Sequence, residues 1–488
     1  MARPRQFRVL IVLTVLWLGW AVWFAMTGGQ VVALEVVDED GHPLVGATVT
    51  RDGEAVATTD ARGLVDLEWE RGADSVEVWA PGFAREPVAR EEVTGETFVV
   101  RMNSNLLRGV VLDGDGRPVE GVYVSAGFGE AVTGLDGHFT VRQAEPGPVR
   151  VWRPAWIEGD FDWDGSPGER TLSIEPRVVK AVHVTGELAG DPVRWREMLD
   201  LKDRTELNGV MLDLKDEYGL IYYESKVAMA TEANALYPTY DLAQIARETS
   251  DRGLYLIGRI VTFQDPQAAR RIPDIAAFDP TTGGPYSKAG QWFLDPTDPA
   301  ARGYALSLAE EACRLGVDEI QFDYVRFPDG RPDYVQFDGP VDEAGRIEAI
   351  RSFLLEARAV LHPLGCAVAG DIFGFITTAR DDGGIGQQWD VVTQVLDVVS
   401  PMLYPSHYAS GWYSFDRPND HPGEMVQSAL EDGIARLQTG TVVRPWLQDF
   451  GYTDDQVRAQ IDSAEGFNLG WMLWNAFSNV SVGALDPG

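Results

Sequence analysis

Aspartates close several apolar runs of this sequence, where a carboxylate has no packing role. In "GVDEIQFDYVRFPDG" (Gly316 to Gly330), strand alternation puts Ile320, Phe322 and Tyr324 on one face and Gln321, Asp323 and Val325 on the other. "AVAGDIFGF" aligns Ala367, Ala369 and Asp371 in the same way, and "MLDLKDEYG" aligns Met211, Asp213 and Lys215. "PWLQDFGY" carries Asp449 at its tip, Arg259 interrupts the apolar "LYLIGRIVTF", and Arg326 follows Asp323. Each charge alone could be paired locally. Several at strand ends point to one shared site, because unpaired buried charge is costly. Paired carboxylates are what glycosidic bond hydrolysis requires: one protonates the leaving oxygen while the other attacks the anomeric carbon or activates water. Their separation decides retention against inversion, and the sequence does not contain it.

Aromatic residues gather at the same ends, among them Tyr404, Tyr408, Trp412 and Trp474. Sugar rings have apolar faces that stack on such side chains, leaving hydroxyls for polar neighbours. Asp213, Lys215, Arg259, Gln321, Arg326, Tyr404, His407 and Trp474 are the candidate substrate-binding residues, whereas Trp446 and Trp471 are expected in packing. No Gly-x-Ser-x-Gly elbow, His-Glu-x-x-His helix, Gly-rich phosphate loop or Cys/His cluster occurs, so neither a metal nor a cofactor is expected. The Asp-rich "DPTDP" is a faint calcium signal at most. A formal charge of −34 opposes nucleic acid binding and suits a neutral or cationic substrate. The two cysteines, Cys313 and Cys366, imply no disulfide framework.

The elements that must position these groups are β-branched runs alternating with helical stretches. Eight strands are expected: Val178 to Thr185, Asn208 to Lys215, Leu254 to Phe263, Asp318 to Phe327, Cys366 to Phe373, Leu396 to Tyr404, Val442 to Phe450 and Leu469 to Phe477. Eight β/α alternations predict an α/β fold of the TIM (β/α)8 class, whose active sites lie at the C-terminal strand ends. An open doubly wound sheet is the rival arrangement.

"WFLDPTDPAARGYALSLAEEACRLGVDEIQFDYVRFPDG" (Trp292 to Gly330), "GDIFGF", "VSPMLYPSHY" and "GWMLWNA" resemble a bacterial glycoside hydrolase domain family, similar in fold to the α-amylase-type glycosidases. The resemblance runs from about Val178 to the C-terminus. It implies a nucleophilic Asp323 after strand four, an acid/base Asp371 after strand five and a stabilising Asp449 after strand seven. The amylase acid/base is Glu, one methylene longer than Asp371. A glycan-binding barrel without hydrolysis is the alternative function.

Ahead of the barrel the sequence repeats itself. "VVDEDGHPLVGATV" and "VLDGDGRPVEGVYV" place Asp38 and Asp113 75 residues apart, and "TTDARG" answers "VTGLDG". Short alternating strands with Asp-Gly turns predict two small all-β sandwich domains. They resemble carboxypeptidase-regulatory-like modules, which implies a spacer or adhesion role. "WIEGDFDWDGSPGER" (Trp156 to Arg170) reads as a linker. Before the repeats, Arg3, Arg5 and Arg8 precede the apolar run Val9 to Met26, long enough for a transmembrane helix with a cytoplasmic N-terminus. A signal anchor and cell-membrane localisation are expected, with a cleaved signal and secretion as the alternative. The expected organisation is 1–29 anchor, 30–102 first sandwich, 103–176 second sandwich and linker, 177–488 barrel. A polysaccharide or oligosaccharide and the membrane are the expected partners.

Overall fold

A computed structural model describes residues 30–69, 73–95, 97–437 and 440–488. The expected anchor at Val9 to Met26 lies outside the described residues. Among those described, no helix is long and apolar enough to cross a membrane. The chain divides into two compact units, the first ending at Ile174 and the second holding Arg153–Ile157 and Glu175–Gly488.

The first unit contains two β modules. In the first module, a sheet of Leu64–Trp69, Gln30–Val37 and Thr97–Arg101 and a sheet of Glu54–Thr58, Thr48–Arg51, Ser75–Trp79 and Glu86–Ala89 bury one core. Leu34 and Val36 come from one sheet, Val49 and Val78 from the other. The internal repeat is physical. Asp38 accepts the N–H groups of Asp40 and His42, and Asp113 accepts those of Asp115 and Arg117. Thr59 bonds Ala47 N–H and Leu44 C=O, and Thr133 bonds Val122 N–H and Val119 C=O. Gly63 and Gly137 both have φ +72°, and a Cβ on either would lie 2.6 Å from the carbonyl oxygen of Val36 or Val111.

The stretch expected as a linker is instead ordered sheet. Gly159–Trp163 pairs antiparallel with Gly147–Trp152, and Glu169–Ser173 pairs parallel with Leu106–Leu112. Its Gly and Asp residues suggested a coil, but Phe161 and Trp163 alternate with aspartates, and Trp163 is buried.

The second unit is a closed parallel barrel of eight strands: β1 (Lys180–Val184), β2 (Gly209–Lys215), β3 (Tyr255–Val261), β4 (Glu319–Asp323), β5 (Ala367–Phe373), β6 (Val398–Leu403), β7 (Val442–Val443 and Trp446–Gln448) and β8 (Trp471–Trp474). Pairing of Trp471 with Lys180 and Met472 with Ala181 closes the ring. Pro445 splits β7 because it cannot donate to the ladder. The outer layer holds α1 (Pro192–Leu199), α2 (Leu242–Asp251), α3 (Pro299–Arg314), α4 (Glu343–Leu361), α5 (Trp389–Val392), α6 (Pro422–Ile434) and α7 (Asp454–Glu465). Side chains of Asp191, Asp241, Asp298, Asp342 and Thr453 cap five of them, and proline occupies the first position of α1 and α3. Strand outer faces bury Leu212, Phe322 and Leu473 against these helices, while Met211, Ile257, Trp446 and Met472 fill the barrel interior.

β4 is shorter than expected. Tyr324 takes φ +49°, which ends the strand at Asp323 instead of Phe327. The cysteine reading is also corrected: Cys313 in α3 and Cys366 just before β5 form a disulfide, with Cα atoms 6.0 Å apart. Framework arguments concern chains with many cysteines, and the βα unit brings this single pair together. The bridge closes 53 residues of sequence, worth about 4 kcal/mol by chain-entropy reasoning. Urea unfolding of the chain with and without reductant is expected to show a loss of that order, reproduced by Cys313→Ser with Cys366→Ser. Identical midpoints would place the bridge outside the energetics of folding.

Candidate active site

The C-terminal ends of the strands surround a cleft of about 560 Å³. Its wall includes Asp323, Asp371, Arg259, Arg326, Tyr404, His407 and Trp474, all picked out from sequence. Alternation explains Arg259, Asp323, Asp371, Tyr404 and Trp474, since inward positions of a barrel strand end at its mouth, while Arg326 and His407 come from the loops that follow β4 and β6.

Arg259 organises the floor. Its Nη1 donates to Asp213 at 2.8 Å, its Nη2 to Glu217 at 2.5 Å and to Asp323 at 2.6 Å, and its Nε to the same Asp323 oxygen at 3.0 Å. The guanidinium also lies 4.8 Å from the centre of the Trp474 ring. On Asp323 the other oxygen accepts the Tyr324 N–H at 2.6 Å, an arrangement that the positive φ of Tyr324 makes possible. Asp323 therefore faces N–H donors on both oxygens. Asp213 stands behind it, bonded to His183 Nε2 at 2.9 Å, and His183 stacks on Trp474 with 4.1 Å between ring centres. Burial alone would raise Asp213, but His183 and Arg259 outweigh it and hold the carboxyl below its usual range.

Asp371 has the opposite character. Burial, then the negative charge of Asp323, push its carboxyl well above the usual range, against the pull of Arg259 and of the Trp446 indole. Trp446 Nε1–H donates to Asp371 Oδ1 at 2.7 Å. Trp446, expected only in packing, therefore lines the cleft and positions a carboxyl. Trp471 is buried outside the cleft and donates to Glu465.

Three expected residues are elsewhere. Asp449 follows Trp446 by three residues, so alternation turns it to the opposite side of β7, with Leu447 of the outer core. Its Oδ2 accepts the Ser481 N–H, and Oδ1 is buried without a protein partner. Burial pushes this carboxyl up to about 6. Lys215 does not align with Asp213, because a register shift between the two turns it outward. It pairs instead with buried Asp265 at 2.9 Å. Gln321 is fully buried one pleat below Asp323, and its amide has no protein partner.

Two participants escaped the sequence reading. Glu217 lines the cleft from the turn after β2, where "KDEYG" reads as a loop. The rule that barrel sites occupy loops after strands could have marked it. His183 was readable only as a histidine inside an apolar strand. For metals, Glu206, Glu465 and Asp486 bring carboxylate oxygens within 4.8 Å of one another. Lys180 and Arg458 already supply the cations there, at 2.6 and 2.8 Å from Glu206. In "DPTDP", Asp295 accepts from Thr297 and from the Asp338 N–H, so its oxygens are committed to protein donors.

Residues 181–479 match a family described as "Putative glycosyl hydrolase domain". The chain belongs to this family. The barrel is accordingly a glycoside hydrolase domain. Among solved structures, a protein from Ruminiclostridium thermocellum titled as hypothetical is 31% identical over 38% of this chain and 96% of its own, with TM-score 0.36. The PgaB (BpsB) glycoside hydrolase domain from Bordetella bronchiseptica is 14% identical over 62% of this chain and 94% of its own, with TM-score 0.45. The glycoside hydrolase domain of PelA from Pseudomonas aeruginosa is 12% identical over 62% and 96%, with TM-score 0.38. No curated protein matches the chain.

The position of Asp449 in this glycoside hydrolase domain yields a direct test. Asp449→Asn is expected to keep turnover within about tenfold of wild type. It should also gain roughly 1–3 kcal/mol of stability at pH 7, because the wild-type group folds more readily protonated. The gain should develop as pH rises from about 4 to about 6. Activity assays and urea unfolding at pH 4 and pH 7 read both effects, and loss of turnover would return Asp449 to the site.

Proposed function

We infer that the cleft hydrolyses O-glycosidic bonds of a cell-envelope or extracellular polysaccharide with Asp323 and Asp371 as the working pair. One observation carries this reading: two carboxyls meet in one cleft, and their surroundings separate their proton affinities. Asp371, whose hold on its proton is strengthened by burial and by Asp323, gives that proton to the departing glycosidic oxygen. Asp323, held by Arg259 and the Tyr324 N–H, attacks the anomeric carbon or stabilises its developing positive charge. Tyr404 and Trp412, both in the cleft wall, supply ring faces for the sugar, while Trp474 is stacked against Arg259 and His183.

The chain is membrane-anchored through Val9 to Met26 with the barrel on the outer side. Arg3, Arg5 and Arg8 support this orientation, and the Cys313–Cys366 bridge suits an oxidising compartment. The repeated β modules are carboxypeptidase-regulatory-like spacers.

Reducing ends released from a panel of envelope and exopolysaccharide glycans test the reaction. Asp323→Asn and Asp371→Asn are each expected to lower turnover by at least about a hundredfold, with the fold retained by circular dichroism. Residual turnover within tenfold of wild type would remove the affected residue from its role. A pH profile tests the acid. Turnover should fall on the alkaline side as Asp371 loses its proton. Trp446→Phe removes a donor that favours the charged carboxylate, so it should move that limb to higher pH. An unmoved limb would assign the proton to another group.

A further inference from the structure

Two groups of opposite excess charge meet at the cleft. In one, Arg259 serves three carboxylates, Asp213, Glu217 and Asp323, and even a charged His183 beside Asp213 leaves that group negative. In the other, Arg326 pairs with Asp329 at 3.2 Å, and Lys288 shares the same half-exposed carboxylate at 3.1 Å. Two cations there face one acid. The protein uses only part of Arg326. Its Nη1 donates to Asp329 and to the Phe327 carbonyl at 3.1 Å, whereas Nε and Nη2 have no protein acceptor and open on the cleft. The residue is only 5% exposed. The rings of Tyr324 and Phe373 lie 4.9 and 4.5 Å from its guanidinium carbon, so packing fixes the group while one edge of its fork stays unpaired. A charge so far removed from water calls for an acceptor.

We propose that the cleft selects acidic glycans, with the Nε–Nη2 edge of Arg326 receiving the carboxylate of a uronate. This rests on the reading of the same cleft as a glycan site. The two coplanar oxygens of a carboxylate match that edge with two parallel, charge-assisted N–H···O bonds. A pair of sugar hydroxyls can reach the same nitrogens but leaves the excess positive charge unbalanced. The formal charge of −34 opposes an acidic ligand at long range. Salt screens that field beyond about 8 Å, so the contact at Arg326 decides. The negative group around Arg259 repels the same carboxylate, which directs the uronate to Arg326 and away from Asp323.

The test uses the full chain carrying Asp371→Asn, which slows cleavage in the proposed reaction. Fluorescence of the cleft tryptophans follows titration with oligosaccharides alternating glucuronate and N-acetylglucosamine, and with oligogalacturonates. Each is compared with its carboxyl-reduced twin, in which every uronate is a neutral hexose, and with a sulfated form of that twin. At least one uronate ligand is expected to bind at least about tenfold more tightly than its neutral twin. Adding Arg326→Met should erase the preference, and Asp329 keeps Lys288 as a partner in that variant. Arg326→Lys, which keeps the charge and loses the two-nitrogen edge, should lower the preference and reads the same effect if the first variant does not fold. Equal affinity for acid and neutral twin, no binding of any uronate ligand, tighter binding of a sulfated twin, or a preference unmoved by the substitution would each overturn the proposal. Reducing-end release by wild type from the same ligands and their twins separates the two readings. Cleavage at equal rates with and without carboxyls removes this proposal and leaves hydrolysis standing. A carboxyl preference dependent on Arg326 without cleavage of any glycan upholds the proposal and removes hydrolysis.

Discussion

One guanidinium sets the geometry of the barrel mouth. Arg259 on β3 reaches Asp213 on β2 and Asp323 on β4, the neighbouring strands, and Glu217 in the turn beyond β2. A buried arginine is tolerable only with its charge and donors satisfied, and buried carboxylates need the same in return. The cluster therefore holds three strand ends in one mutual arrangement. Trp474 stacks between Arg259 and His183, which ties β8 and β1 into the same floor. Other residues of the cleft are placed relative to this unit.

Strand parity explains which of these groups were legible in the sequence. Asp213, Arg259, Asp323 and Asp371 all follow simple alternation from inward apolar residues, and all four converge. Lys215 obeys the same rule on paper. A one-residue irregularity after Asp213 reverses it, and no sequence pattern marks that irregularity. Asp449 lies outside the cleft for a different reason. Its place at the tip of strand seven marks it and the resemblance gives it a stabilising role, whereas counting from Trp446 turns it away. Glu217 and His183 were hidden because their roles depend on contacts distant in sequence, Glu217 with Arg259 and His183 with Asp213 and Trp474, which the sequence does not display.

The larger architecture was easier to read. Eight apolar runs separated by helical stretches survive small errors at every boundary, since the burial of each strand is over-determined. The repeat ahead of the barrel was visible because each unit needs the same turn-forming Asp and the same left-handed glycine. What composition misjudged was local. Gly159–Trp163 looks like a coil by its aspartates, yet every second residue faces a neighbouring strand. The Cys313–Cys366 pair looks incidental until the fold brings the end of α3 beside the start of β5.

The two carboxyls at the centre differ because of the company each keeps, and the difference is shared between them. Asp323 gains its donors from Arg259 and from the backbone bend at Tyr324. Its negative charge then raises the proton affinity of Asp371, which Arg259 and Trp446 only partly oppose. In the proposed reaction, the acid is therefore maintained by the same residue that would meet the positive charge at the anomeric carbon. That charge, as it developed, would offset Asp323 and weaken the hold of Asp371 on its proton. Proton delivery and charge stabilisation would then be linked through space. The left-handed conformation at Tyr324 fits this arrangement. It ends β4 at the residue that must project into the cleft, and its own N–H fixes the carboxylate there.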